Sequence, residues 1–310
     1  MQDKVRAFSP SGISSFFEIC DRSENGKQLT DTQRVGARGG GFVTEKGVFT
    51  EVDLAPAKRN SVHVTINGRA SLKAATTLSV ARKILELTHS TFEVTVKHRV
   101  EVPIGAGFGT SAAGALGTAL ALSKALDLAF TYNELGRLAH AAEIECKTGL
   151  GTVGPLMIGG CILTTEPGAP GTAIIDRIPL TADHVIVAGV FEGIPTKNVL
   201  SSPQKRLVVN KSGRKTLERI LSDPSISNFM SCCLKFAEET GFMNNRLRKL
   251  VKLAEKAGAI GSAQNMVGEA IHAVTTSENA NRVAQAFMQL LPQERIIISK
   301  IDFQGARLLG

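Results

Sequence analysis

The chain of 310 residues has no tryptophan, one tyrosine and six scattered histidines. Aromatic side chains on which nucleic-acid bases could stack are therefore scarce, and we expect no nucleic-acid partner. No two histidines form an HExxH or similar pair, so the sequence predicts no structural metal site. The five cysteines are an odd number without metal-ligand spacing, which favours free thiols that pack as small apolar residues.

Long apolar runs are also absent. No segment approaches the roughly 20 apolar residues that span a bilayer, and the N-terminal stretch MQDKVRAFSPSG lacks the apolar core of a signal peptide. We therefore expect a cytoplasmic protein with no membrane partner. The net charge of 36 − 28 = +8 is spread along the chain, which favours an anionic small substrate over nucleic acid.

Strand-like and helical segments are mixed without a regular βαβ alternation, which favours an α+β fold. SVHVTING and TFEVTVKHRVEV alternate around β-branched residues, and SLKAATTLSVARKILEL has apolar residues at helical spacing. The glycine-rich segment Gly36–Phe42 is expected to be a loop or bulge. Further helices are expected over residues 111–126, 132–147, 212–221, 225–240, 246–257, 264–275 and 278–290. A Pro/Gly turn predicts two domains, 1–175 and 176–310.

The segment Val100–Leu126 joins a strand to an Ala- and Leu-rich helix through the stretch PIGAGFGTS. Glycines let backbone N–H groups approach an anion without obstruction from a Cβ, and the following helix adds unpaired amides and its positive dipole end. Thr110 and Ser111 stand at that helix start, where hydroxyls cap amides or reach a phosphate or magnesium ion. Because no lysine follows the last glycine, the pattern is not GxxxxGK[ST]. A glycine-rich turn without a ligand is the alternative.

The stretch PIGAGFGTSAAGAL resembles the second motif of the GHMP kinases, Pro-x3-Gly-[Leu/Phe]-Gly-Ser-Ser-Ala-Ala, with Thr110 in place of the first serine. GARGGGF, ECKTGLGTV, IPTKNVL, GSAQNMVGEAIHAV and IDFQGARLL extend the similarity over practically the whole chain, to the archaeal pantoate kinase branch. The resemblance implies an N-terminal domain like domain 2 of ribosomal protein S5 and a ferredoxin-like C-terminal domain. It also implies ATP-dependent phosphorylation of the primary hydroxyl of pantoate, in coenzyme A biosynthesis.

The same resemblance implies which residues bind ATP: Pro103, Gly105, Gly107, Gly109, Thr110, Ser111 and Ala112. Ser111 and Glu143 are implied to hold Mg²⁺ and to be catalytic, Glu143 because it lies nine residues before the family's catalytic aspartate position. Helical spacing alone does not choose between Glu143 and Glu145, because each flanks the apolar face of the predicted helix.

The acceptor side departs from the branch at three positions. Thr152 stands where an aspartate is expected, Thr164 where an arginine would pair with a substrate carboxylate, and Gly12 where histidine is common. Threonine cannot act as a base near neutral pH, but the loose transition state of phosphoryl transfer needs little base assistance. The candidate acceptor residues are Ser14, Arg38, Thr152, Thr164 and Lys197, with Thr152 also counted as catalytic.

These departures leave alternatives open. Pantothenate, in which the carboxylate of pantoate has become an amide, suits the missing arginine at Thr164. A non-catalytic nucleotide-binding homologue suits the missing carboxylate at Thr152, and the S5-like half makes an RNA-binding protein a weaker hypothesis. The resemblance further implies a homodimer whose other partners are ATP and a small hydroxy acid.

Overall fold

The computed structural model describes residues 4–23, 25–192 and 203–310. The first part of the chain forms β1 (Val5–Cys20), β2 (Gly36–Pro56), β3 (Ser61–Ile66), β4 (Arg69–Ala70), α1 (Ala75–Leu85), β5 (Phe92–Val100), α2 (Thr110–Ala125), α3 (Tyr132–Cys146), α4 (Val153–Ile158), β6 (Cys161–Glu166) and β7 (Ile174–Ile178). The second part forms β8 (His184–Glu192), α5 (Pro203–Ser222), α6 (Ile226–Glu239), α7 (Asn245–Lys256), β9 (Gly261–Gln264), β10 (Glu269–Thr276), α8 (Ser277–Phe287), β11 (Ile296–Lys300) and β12 (Arg307–Leu309). Within these ranges no helix is both long and apolar enough to pass through a bilayer.

The first sheet has the strand order β12-β1-β2-β5-β3-β4, and β6 joins it through β2 and carries β7. β2 pairs with β6 through residues 39–42 and with β5 through residues 48–56, so the two halves of this long strand have different neighbours in the sheet. α2 packs on the sheet and is buried on nearly all sides. A Cβ on Gly117 would overlap the hydroxyl of Thr50, so glycine at this position allows α2 to pack closely against β2.

The second sheet has the antiparallel order β11-β8-β10-β9. Along the chain its elements run strand, helices, strand, strand, helix, strand, which is the ferredoxin-like arrangement expected for this half. β12 returns to the first sheet, where Arg307–Leu309 pairs with residues 6–8 of β1. The boundary between 1–175 and 176–310 stays a prediction.

Of the loop or bulge expected at Gly36–Phe42, the loop is wrong, because these residues begin β2 and pair with residues 13–20 of β1, while the pairing does contain an irregularity of the bulge type. A register shift between Ser14 and Phe16 brings the two backbones close together. A Cβ on Gly39 would lie 2.5 Å from the carbonyl oxygen of Phe16, and one on Gly41 would overlap that of Ile13. The glycines therefore permit a close approach of the two paired strands.

The helix expected over 264–275 is also wrong, because β9 and β10 form an antiparallel hairpin there. β10 is a central strand, paired with β8 on its other side, and Ile271, Ala273 and Val274 are buried. Pairing on both edges overrides the helical spacing of the apolar residues. The helices expected over 111–126, 132–147, 225–240, 246–257 and 278–290 are confirmed with small shifts of their ends, and that over 212–221 begins earlier, at Pro203.

Candidate active site

The glycine-rich loop between β5 and α2, here called the phosphate loop (residues 103–109), is held in left-handed backbone conformations. Gly105 and Gly107 both have φ 80°, and Gly109 has φ 60°. Residues with a Cβ are disfavoured at such angles. Gly109 is the N-cap of α2, and no side chain of a described residue caps this helix end. The first amides of α2 are therefore available to an anion.

The phosphate loop forms one wall of a cavity of about 830 Å³. Most of the residues predicted from the sequence line this cavity together: Ser14, Arg38, Gly105, Gly107, Gly109, Thr110, Ser111, Glu143, Thr152 and Thr164. Pro103 is half-buried at the start of the loop, and Ala112 is fully buried inside α2. Lys197 lies outside the described residues.

Glu143, on α3, is buried and lines the same cavity as the phosphate loop and Ser111 at the start of α2. The Thr148 hydroxyl donates a hydrogen bond of 2.6 Å to its Oε1. Burial raises the pKa of the Glu143 carboxyl, and the hydrogen bonds from Thr148 and Ser111 oppose that rise. A buried carboxylate that accepts few hydrogen bonds does not recover the hydration it has lost, so a cation that binds beside it is favoured.

Glu145 lies two residues along the same helix but faces away from the cavity. Its Oε1 accepts a hydrogen bond of 2.8 Å from the Lys83 ammonium on α1, and its Oε2 lies 3.5 Å from the Ser79 hydroxyl. The side chain is 44% exposed. The tertiary structure thus separates two glutamates that helical spacing leaves equivalent.

Thr152 precedes α4 and is wedged between two glycines. A Cβ on Gly109 would lie 2.7 Å from the Thr152 methyl group, and a Cβ on Gly12 would lie 3.3 Å from the same methyl and 2.9 Å from Leu156. The Gly12 amide also donates a 3.1 Å hydrogen bond to the carbonyl of Phe108. Two of the departures on the acceptor side, Gly12 and Thr152, are therefore in mutual contact beside the phosphate loop.

Arg38 reaches the cavity with its guanidinium already engaged. It donates to the Thr165 carbonyl at 3.0 Å and pairs with Glu18 at 3.4 Å and Glu166 at 3.1 Å. Glu18 is itself buried and also pairs with Arg214 at 2.7 Å. Thr164, paired with Gly39 in the sheet, is 6% exposed.

Sequence reasoning missed two residues that follow α3. Thr148 supplies the hydrogen bond to Glu143, and Lys147 lines the cavity in a left-handed conformation with φ 55°. The stretch ECKTGLG carries these two residues, but a Glu-x4-Thr spacing is no recognised motif. The structural feature that brings Thr148 close to Glu143 is the left-handed conformation of Lys147, which ends the helix and turns the chain back.

The oxygen donors beside the phosphate loop suit a magnesium ion. Ser111 brings a hydroxyl and Glu143 a buried carboxylate, and Mg²⁺ is commonly held by one or two such groups together with phosphate oxygens. In the part of the chain that the structure describes, no group of three or more His, Cys, Asp or Glu side chains could hold a metal without such added ligands. The residues present therefore fit a metal that arrives with a nucleotide.

Comparison with known proteins identifies the family. The sequence profile of the GHMP kinases N terminal domain matches residues 73–160. A pantoate kinase of Thermococcus kodakarensis is 32% identical over 91% of this chain and 91% of its own length. A pantoate kinase of Methanocaldococcus jannaschii is 26% identical over 87% of this chain and 93% of its own.

A solved structure described as a phosphotransferase related to the CoA biosynthesis pathway superimposes with a TM-score of 0.87. It is 29% identical and covers 99% of both chains. The expected α+β fold, with its S5-like and ferredoxin-like halves, is thereby confirmed, as is the expected kinase class. The similarity spans both sheets and includes the phosphate loop, and on this basis the chain belongs to the GHMP kinases, in the pantoate kinase branch.

Proposed function

We propose that this kinase transfers the γ-phosphoryl group of ATP to the primary hydroxyl of pantoate, with Mg²⁺ as the metal. Use of ATP follows from the family, and the relatives that cover nearly the whole chain are pantoate kinases. The single observation that carries the proposal is that the buried Glu143 and Ser111, at the start of α2, line the same cavity as the phosphate loop.

Nucleotide binding is assigned to the backbone of the phosphate loop. Gly105, Gly107 and Gly109 give the loop its left-handed turns, which expose N–H groups to the β- and γ-phosphates. Thr110 and Ser111 begin α2, whose positive dipole end favours the same negative charge. Positioning and charge neutralisation of this kind supply most of the acceleration in phosphoryl transfer.

The metal site is assigned to Ser111 and Glu143. When bound, Mg²⁺ would neutralise charge on the phosphate oxygens. Thr148 holds Glu143 through its 2.6 Å hydrogen bond, so the carboxylate is oriented before any ligand arrives. Pre-orientation of this type avoids reorganisation during the reaction.

The acceptor is assigned to the part of the cavity lined by Ser14, Arg38, Thr152 and Thr164. Pantothenate is the second candidate, because the position of the missing arginine is occupied by Thr164, and Arg38 is already paired with Glu18 and Glu166. Pantothenate has a neutral amide at the position of the pantoate carboxylate, and an amide needs no cation at that position. Thr152 cannot remove a proton, so it can only orient the acceptor hydroxyl.

The experiment measures ADP release from ATP and Mg²⁺ with each acceptor in turn. We expect turnover with pantoate to exceed that with pantothenate, and the reverse ratio would favour the second candidate. Folded protein that binds ATP but releases ADP with neither acceptor would refute the kinase proposal and favour a non-catalytic nucleotide-binding homologue.

Three further predictions belong to this proposal. We propose a homodimer, a cytoplasmic location and a division into domains 1–175 and 176–310. Lys197 is retained as a candidate for the acceptor side. Light scattering of the purified protein tests the dimer, and separate expression of the two segments tests the boundary.

A further inference from the structure

The turn between β9 and β10 rests directly on the phosphate loop. A Cβ on Gly107 would lie 3.0 Å from the Cβ of Asn265, and a Cβ on Gly268 would lie 3.1 Å from the backbone of Ala106. The amide of Met266, in the same turn, donates a 2.8 Å hydrogen bond to the carbonyl of Ser14. The second sheet therefore contacts the phosphate loop through this turn.

A chain of three buried side chains connects the turn with the first sheet. The Oδ1 atom of Asn265 lies 2.9 Å from Nδ1 of His272, and Nε2 of His272 lies 2.9 Å from the hydroxyl of Ser15. All three residues are 0% exposed. Ser15 belongs to β1 and His272 to β10, so the chain crosses from one sheet to the other.

The chemistry of the three groups fixes the direction of the hydrogen bonds. A carbonyl oxygen can only accept, so Nδ1 of His272 carries the hydrogen and Nε2 accepts from the Ser15 hydroxyl. Burial lowers the pKa of His272 to about 3, so the imidazole is neutral at physiological pH. The Nδ2 atom of Asn265 has no acceptor among the described residues, so the bond to His272 alone orients this side chain.

We propose that Asn265 is a positioning residue for nucleotide binding: Ser15 and His272 hold its side-chain amide, and this fixes the Cβ and backbone of Asn265, which lie next to Gly107. Gly107 sits in a left-handed conformation with φ 80°, so its neighbouring N–H groups point correctly only while this support is in place. The inference rests on the proposed function, since it assumes that the phosphate loop binds the phosphates of ATP.

The test compares a nucleotide with its phosphate-free counterpart. Asn265→Ala keeps the Cβ and backbone atoms that face Gly107 but removes the hydrogen bond between the side-chain amide and His272. His272→Phe removes both hydrogen bonds while keeping a ring against Phe42, whose centroid lies 5.6 Å away. We expect either variant to weaken ADP binding by about tenfold, as for loss of one hydrogen bond to a charged group. Adenosine affinity is expected to stay within about twofold, because adenosine makes no phosphate contact.

The double variant provides a second readout. Residues that act as one unit show non-additive effects, so Asn265→Ala with His272→Phe should weaken ADP binding no more than the worse single variant. In kinetic assays the KM for ATP should rise in each variant, while the KM for the acceptor stays at the wild-type value.

Asn244→Ala is the matched control. Asn244 is exposed and donates a 2.7 Å hydrogen bond to Glu269, the first residue of β10, but contacts neither Gly107 nor the chain of hydrogen bonds through His272. It also caps α7 through the amide of Leu247, at 2.9 Å. The control should lower the melting temperature and leave the ratio of ADP to adenosine affinity unchanged.

The outcomes separate this inference from the proposed function. If the wild-type protein binds neither ATP nor ADP, the proposed function fails. If the wild type binds ADP and the folded Asn265→Ala variant binds it equally well, or loses ADP and adenosine affinity alike, the positioning role is overturned. Should both substitutions prevent folding, Ser15→Ala decides in the same way, with an expected loss of about threefold for ADP alone.

Discussion

Replacement of Glu143 by glutamine tests the proposed metal site most directly. Glutamine keeps the shape of the side chain and still accepts the hydrogen bond that Thr148 donates at 2.6 Å. The substitution therefore removes the negative charge and little else. Because Glu143 is only 2% exposed, water cannot take over the role of the lost charge.

The size of the effect follows from this burial. Loss of one pre-oriented electrostatic contact in a water-excluded site lowers kcat by about 10²- to 10³-fold, or roughly 2.7–4 kcal/mol. We expect Glu143→Gln to lower kcat by at least about a hundredfold, and the loss should persist at saturating Mg²⁺.

Glu145→Gln is the matched control for this measurement. It makes the same chemical change two residues away, where the side chain is 44% exposed and paired with Lys83 at 2.8 Å. An exposed ion pair of this kind contributes about 0–1 kcal/mol, so kcat should change by less than about threefold. The assignment of the metal to Glu143 would be refuted if the rate in the coupled assay fell equally in both variants, or if it fell in neither variant.

The same variant makes a prediction about stability. Burial raises the pKa of Glu143 in the folded protein, so the folded state binds more protons than the unfolded state above the ordinary value of 4.5. The free energy of unfolding therefore falls as the pH rises above this value, and the loss of stability persists at neutral pH. Without ligands at pH 7, Glu143→Gln should melt no lower than the wild type, and a lower melting temperature would contradict this reasoning.

Three further predictions concern the loop and the core. Ser111→Ala should lower kcat by about a hundredfold in the ADP-release assay, through loss of the hydroxyl beside Glu143. Gly109→Ala should cost about 1–2 kcal/mol in urea unfolding, because of its φ of 60° and its contact with Thr152. Burial lowers the pKa of His98 to about 4 from 6.5. The unfolded state therefore binds more protons between these values, so unfolding free energy should fall as pH drops through that window, less steeply in His98→Gln.

Each of these has an outcome that would contradict it. Full activity of Ser111→Ala would show that the Ser111 hydroxyl has no role in catalysis. Wild-type stability of Gly109→Ala would show that the loop tolerates a Cβ at this position. For His98, the hydrogen bonds of 3.0 Å to Thr50 and Thr77 hold a neutral ring. An unchanged pH profile in His98→Gln would therefore assign the acid sensitivity to other groups.

The sequence by itself predicted the glycine-rich loop and the helix that follows it, because that information is local. The phosphate loop needs left-handed backbone conformations that glycine adopts easily, so the glycines of PIGAGFG predict its conformation directly. The start of α3 is equally local, because Thr131 and Glu134 form a capping box three residues apart in the chain.

Tertiary structure alone decided the rest, since it depends on contacts between residues far apart in the chain. Glu143 and Glu145 are equivalent on a helix and differ only because one faces α2 and the other Lys83. The sequence of β9 and β10 has apolar residues at helical spacing, but the pairing of β10 with β8 makes this segment a hairpin. Asn265 acquires its place under Gly107 only when the two sheets meet, and no spacing in the sequence encodes that distance.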